Sequence, residues 1–75
     1  MERYKNIGGN SGVSGYEIGA DFIDVQFNNN SLYKYNGSRP GIGHVEHMKS
    51  LALRGHGLNS YISTTIKKNF AAKLR

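Results

Sequence analysis

Cysteine and tryptophan are absent from this 75-residue chain, and proline occurs once. Without cysteine there is no disulfide framework, no thiolate nucleophile and no Cys-based zinc site, so packing and hydrogen bonds must hold the fold. No run approaches the roughly 20 apolar residues that cross a bilayer, and Met1 to Asn10 carries no apolar stretch of the secretory type. The expectation is a cytoplasmic protein with no membrane partner. A chain this short has interior for one hydrophobic core, which excludes two domains. Leu, Ile, Val and Phe number 17, about 23% of the chain, above the roughly 20% below which chains tend to stay disordered.

Acidic residues are also scarce, five against ten Lys and Arg, for a net charge of +5. Residues 1–38 hold three basic groups against four acidic ones, a net of −1. Residues 39–75 hold seven basic groups against Glu46 alone, a net of +6. Such a half is either a solvated face that keeps a small domain soluble or an electrostatic footprint for nucleic acid.

The polar, glycine-containing residues 1–11 show no periodicity that would bury a face, and they read as a flexible N-terminal arm before a single domain over 12–75. From Val13 to Ile18 a strand is expected, with Tyr16 and Ile18 on one side and Gly15 permitting a bulge. Ile23, Val25 and Phe27 alternate with Asp24 and Gln26, the pattern of a half-buried strand. Asn28-Asn29-Asn30-Ser31 suits a hairpin loop, because asparagine tolerates left-handed backbone angles, and Leu32-Tyr33-Lys34-Tyr35 returns as the next strand. Asn36 to Pro40 ends the sheet, since glycine frees the backbone and proline donates no ladder bond. Ile42, Val45, Met48, Ala52 and Leu53 then recur at helical spacing up to Gly55, predicting a helix over 41–54. Leu58, Ile62, Ile66 and Phe70 predict a second helix over 59–71. The expected fold is α+β, a three-stranded antiparallel β-meander followed by two α-helices packed on one sheet face.

Taken in order, Gly15-Tyr16-Glu17, Ile23-x-Val25-x-Phe27, Tyr33-Lys34-Tyr35, Pro40, and Gly57 through Tyr61-Ile62 to Ile66-Lys67 and Phe70 resemble the KTSC domain. That small domain is named from its place at the C-terminus of some lysyl-tRNA synthetases and also occurs alone in bacteria. The likeness runs from about residue 12 to 70. The stretch from Asn36 to Arg39 is slightly longer than the family's usual link, and Ser63 stands where asparagine is common. No activity is established for the family, and its association with tRNA synthetases implies RNA as a partner to test.

Several constellations bear on function. Tyr33 and Tyr35 with Lys34 between them fit base stacking beside a phosphate-holding cation. The competing reading, which is preferred, packs both rings as core or cross-strand pairs. Arg39 precedes Pro40-Gly41-Ile42-Gly43 at the expected start of the first helix, where free N–H groups favour an anion. Gly41-x-Gly43 is only a fragment of a dinucleotide fingerprint. Arg54, Lys67 and Lys68 lie on expected polar faces and suit phosphate, with ordinary solvated charge as the alternative. His44 and His47 share a helical face with His56 beyond it, but Glu46 points away from both, so surface histidines are preferred over a metal site. No nucleophile, base and orienting group converge, and neither an enzyme nor a cofactor is expected. The sequence therefore points to a non-catalytic binding module for RNA or single-stranded nucleic acid through Tyr33, Lys34, Tyr35, Arg39, Arg54, Lys67 and Lys68. The alternative is a protein-interaction module docking a larger acidic or apolar partner. Oligomeric state is not legible.

Overall fold

The computed structural model describes every residue except Gly8 and Asn10. It is an α+β fold in which one antiparallel sheet carries the helices on a single face. The strands are β1 (Glu2–Arg3), β2 (Val13–Ile18), β3 (Phe22–Phe27), β4 (Leu32–Asn36) and β5 (Ala72–Lys73), ordered β1-β2-β3-β4-β5 across the sheet. The expected three-stranded meander is β2–β4, and among the described residues the sheet has five strands because a two-residue edge strand is added on each side, Glu2–Arg3 and Ala72–Lys73. Residues assigned to an N-terminal arm thus take part in the sheet: Glu2 pairs with Tyr16 and Arg3 with Gly15. The portion of that arm containing Gly8 and Asn10 lies outside the described residues.

Alternation decides which face is buried. Ile23 pairs with Tyr35 and Val25 with Tyr33, so these four side chains share the helix-covered face. Asp24 pairs with Lys34 on the other face. A register shift between Val13 and Gly15 lets Val13 and Tyr16, three residues apart, both reach the core.

Helix α1 (Ile42–Arg54) presents Val45, Met48, Leu51 and Ala52 inward. It stops at Gly55, whose φ of 75° is left-handed and whose N–H reaches the Leu51 and Ala52 carbonyls. A Cβ there would also press on Lys5. Helix α2 (Leu58–Tyr61) runs into a π-helical turn over Ile62–Ile66. The predicted second helix over 59–71 is therefore shorter and wider than expected. The reason is geometric: at 3.6 residues per turn, the four-residue spacing of Leu58, Ile62, Ile66 and Phe70 drifts by about 40° per step and leaves Phe70 about 120° off the stripe. The π turn keeps Ile62 and Ile66 buried, Lys67 adopts a φ of 55°, and the chain leaves the helix so that Phe70 packs on Tyr33.

The core gathers Ile23, Val25 and Tyr35 from the sheet, the inward residues of α1, and Leu58, Ile62 and Ile66. Tyr4 joins them, and its hydroxyl accepts a 3.2 Å hydrogen bond from the Leu58 N–H, tying the first strand to the start of α2. No helix among the described residues is long and apolar enough to cross a membrane.

Candidate nucleic-acid interface

Strand parity settles the tyrosines. Tyr35 is 1% exposed, and burial, aided by the neighbouring Tyr33, pushes its phenol up to about 12. No face of this ring is open for stacking. Tyr33 is half-buried at the sheet margin, edge-on to Phe27 with centroids 5.6 Å apart and tilted against Phe70 at 4.7 Å. Lys34 projects from the opposite face, where its Nζ lies 3.1 Å from Asp24 Oδ1 and 3.7 Å from the Phe22 ring centroid. The contact with Asp24 is an ion pair whose geometry falls short of a hydrogen bond. The Tyr33-Lys34-Tyr35 triplet is therefore split among sheet margin, outer face and core.

The cations divide as well. Arg39 Nε donates to Asn69 Oδ1 at 2.9 Å, which ties this guanidinium to the segment that carries the exposed Lys67 and Lys68. From there the chain runs along β4 as the sheet edge, with the Ala71 N–H on the Lys34 carbonyl and the Leu74 N–H on that of Leu32. Lys73 pairs with Tyr33 on the ladder and its Nζ lies 5.9 Å from that ring. Arg75 reaches the Asn30 carbonyl at 3.4 Å. Arg39, Lys67, Lys68, Lys73 and Arg75 thus belong to the β4–β5 margin of the sheet and to the turn that leads into it. Arg54 does not belong to this row. It closes the 13-residue α1, about 20 Å from the helix start near Arg39.

The carboxylates lie elsewhere, with Glu2 in β1, Glu17 in β2, Asp21 between β2 and β3, and Asp24 in β3. Glu46 bonds Lys49 Nζ at 2.8 Å, and the same ammonium reaches the Ala20 carbonyl. Salt bridges among the described residues engage only Lys34 and Lys49, so none of the five edge cations has a carboxylate partner. The charge asymmetry of the sequence becomes a spatial one. Lys73 and Arg75, which the sequence reading left out, belong to the row because β5 folds back along β4, and a two-residue strand leaves no alternation to read.

His47 and His56 face a different feature. A cleft of about 660 Å³ lies between α1, α2 and the N-terminal segment, lined by His47, His56 and Tyr61 among others. His44 Nδ1 and the Tyr61 hydroxyl are hydrogen-bonded at 2.6 Å, and His47 sits edge-on to the same ring at 4.6 Å. Among the described residues no three His, Asp or Glu side chains gather as a metal-binding group. Gly41, before α1, has a φ of 119° and offers no side-chain cap.

Comparison of the chain with protein-family models, with curated proteins and with solved structures finds no match.

Proposed function

We propose that this chain is a non-catalytic module that binds RNA or single-stranded nucleic acid in the cytoplasm, with the phosphates running along its C-terminal edge. The observation that carries the reading is the row of Arg39, Lys67, Lys68, Lys73 and Arg75 without a carboxylate partner among the described residues. Phosphates that replace small counterions along such a row gain affinity by releasing those ions. The likeness to the KTSC domain, with its place on lysyl-tRNA synthetases, points the same way. A basic edge also blunts sheet-to-sheet aggregation, and binding separates the two roles.

The test is fluorescence anisotropy of a labelled 12-nucleotide strand at 50 mM salt. Wild type binds, and Lys67→Glu with Lys68→Glu weakens binding by roughly 10–100-fold. No binding by the wild-type protein ends the proposal.

A second reading, a protein-docking module, is favoured by Met1, Ile18 and Leu53, exposed apolar side chains around a groove of about 330 Å³ at the opposite, β1 side of the sheet. Under that reading the double lysine variant keeps its partner.

A further inference from the structure

The aromatic residues of the sheet margin gather at one end of the basic edge. Phe27 and Tyr33 meet edge to face at 70°, and Phe70 backs Tyr33. Both Phe27 and Tyr33 are half-buried, and beside them opens a cavity of about 400 Å³ lined by Gly12, Phe27, Asn28, Asn29, Ser31 and Tyr33. Among the described residues no carboxylate lines it.

Its polar groups are specific. Asn28 Nδ2 donates to the Ser11 carbonyl and Asn29 Oδ1 accepts from the Ser31 N–H. These two bonds orient the amides and, among the described residues, leave Asn28 Oδ1 as an acceptor and the Asn29 amino group as a donor for a ligand. Lys73 stands near the Tyr33 ring and Arg75 near Asn30, so two cations flank the cavity.

Each candidate occupant uses these parts differently. An apolar ligand would leave both amides and both cations idle. An acidic peptide would meet the cations, but its carboxylates are repelled by the electron-rich faces of Phe27 and Tyr33. An unpaired nucleotide uses all three: its base has a π-face for Phe27 and Tyr33, its edge carries donors and acceptors, and its phosphates suit Lys73 and Arg75.

We propose that this cavity receives one unpaired nucleobase of a strand whose phosphates follow the basic edge, with Phe27 and Tyr33 as the stacking surface and Asn28 and Asn29 on the base edge. The inference rests on the nucleic-acid reading above and adds the base site.

Two labelled strands of eight units and equal charge test it, oligothymidylate and a fully abasic strand, measured by anisotropy at 50 mM salt. Both should bind with the same salt slope, the abasic strand weaker by roughly 5–100-fold. Phe27→Leu should narrow that gap while leaving the thermal midpoint within a few degrees, and oligothymidylate should move the ring-proton signals of Phe27 and Tyr33 in NMR spectra. Equal affinity for the two strands with unmoved ring signals overturns the base site and leaves the basic edge standing. Failure of both strands to bind overturns the edge reading and this inference with it.

Discussion

Tyr4 offers the sharpest test of how the chain is built, because the sequence places it in an arm and the structure places it in the core. It is 4% exposed, and its hydroxyl accepts from the Leu58 N–H across 54 residues of chain. Leu58 is the first residue of α2, whose N–H would otherwise lack a partner. Tyr4→Phe keeps the ring and removes the acceptor, leaving a buried donor unpaired, which costs about 1–3 kcal/mol. Tyr4→Ala also empties a ring-sized volume, and large aromatic deletions in cores cost about 3–5 kcal/mol. Small domains hold roughly 0.05–0.15 kcal/mol per residue, or about 4–11 kcal/mol for this length. Tyr4→Ala should therefore remove about a quarter or more of the total, and Tyr4→Phe a smaller, measurable part. Urea unfolding followed by far-UV circular dichroism reads both as lowered midpoints in the order wild type, Tyr4→Phe, Tyr4→Ala. Three coincident midpoints would refute the placement of Tyr4 in the core.

Tyr35 should titrate apart from the other tyrosines. Its folded phenol ionises near 12 against an ordinary 10.0, so the unfolded chain loses this proton first, and the associated stability, whole below about 10, is lost as pH rises to about 12. The loss approaches about 3 kcal/mol, and ultraviolet titration of wild type against Tyr35→Phe with parallel urea midpoints checks it; a Tyr35→Phe protein with the same alkaline decline would refute the assignment. Gly55→Ala forces a left-handed backbone onto alanine and drives its Cβ into Lys5, so it should lower stability by more than about 1 kcal/mol in the same urea assay. An unchanged midpoint there would mean that the α1 terminus is not built as described.

Much of the central fold was legible because burial there repeats at a readable period. Ile23, Val25 and Phe27 alternate on β3, the asparagine run supplies the hairpin, and Gly55 ends α1 where the apolar spacing stops. The two edge strands were not legible, since two residues cannot show an alternation. Nor was the end of the second helix, where the four-residue spacing of apolar side chains reads as one stripe although an α-helix would carry Phe70 off it. For the site, the net charge of each half was visible in the sequence, but its geometry was not. Whether Lys34 faces the outer sheet surface or the basic margin depends on strand register, and whether Arg54, the last residue of α1, joins Lys67 depends on where the chain leaves the π-helical turn that Lys67 follows. Phe70, Lys73 and Arg75 were missed for a shared reason: the return of the chain along β4 brings them to Tyr33 and the hairpin end; Phe27 reaches Tyr33 through the β3–β4 hairpin and was read only as a core position.

The central claim is that five cations on one margin bind a phosphate chain. The most direct measurement is the salt dependence of affinity for a 12-nucleotide single strand. At about 0.7 per neutralised phosphate, wild type should give a slope of log Kobs against log salt near −3.5, and Lys67→Gln with Lys68→Gln near −2. Arg54→Gln, at the far end of α1, should keep the wild-type slope. A wild-type slope near zero, or a larger change from Arg54→Gln than from the lysine pair, would contradict the account.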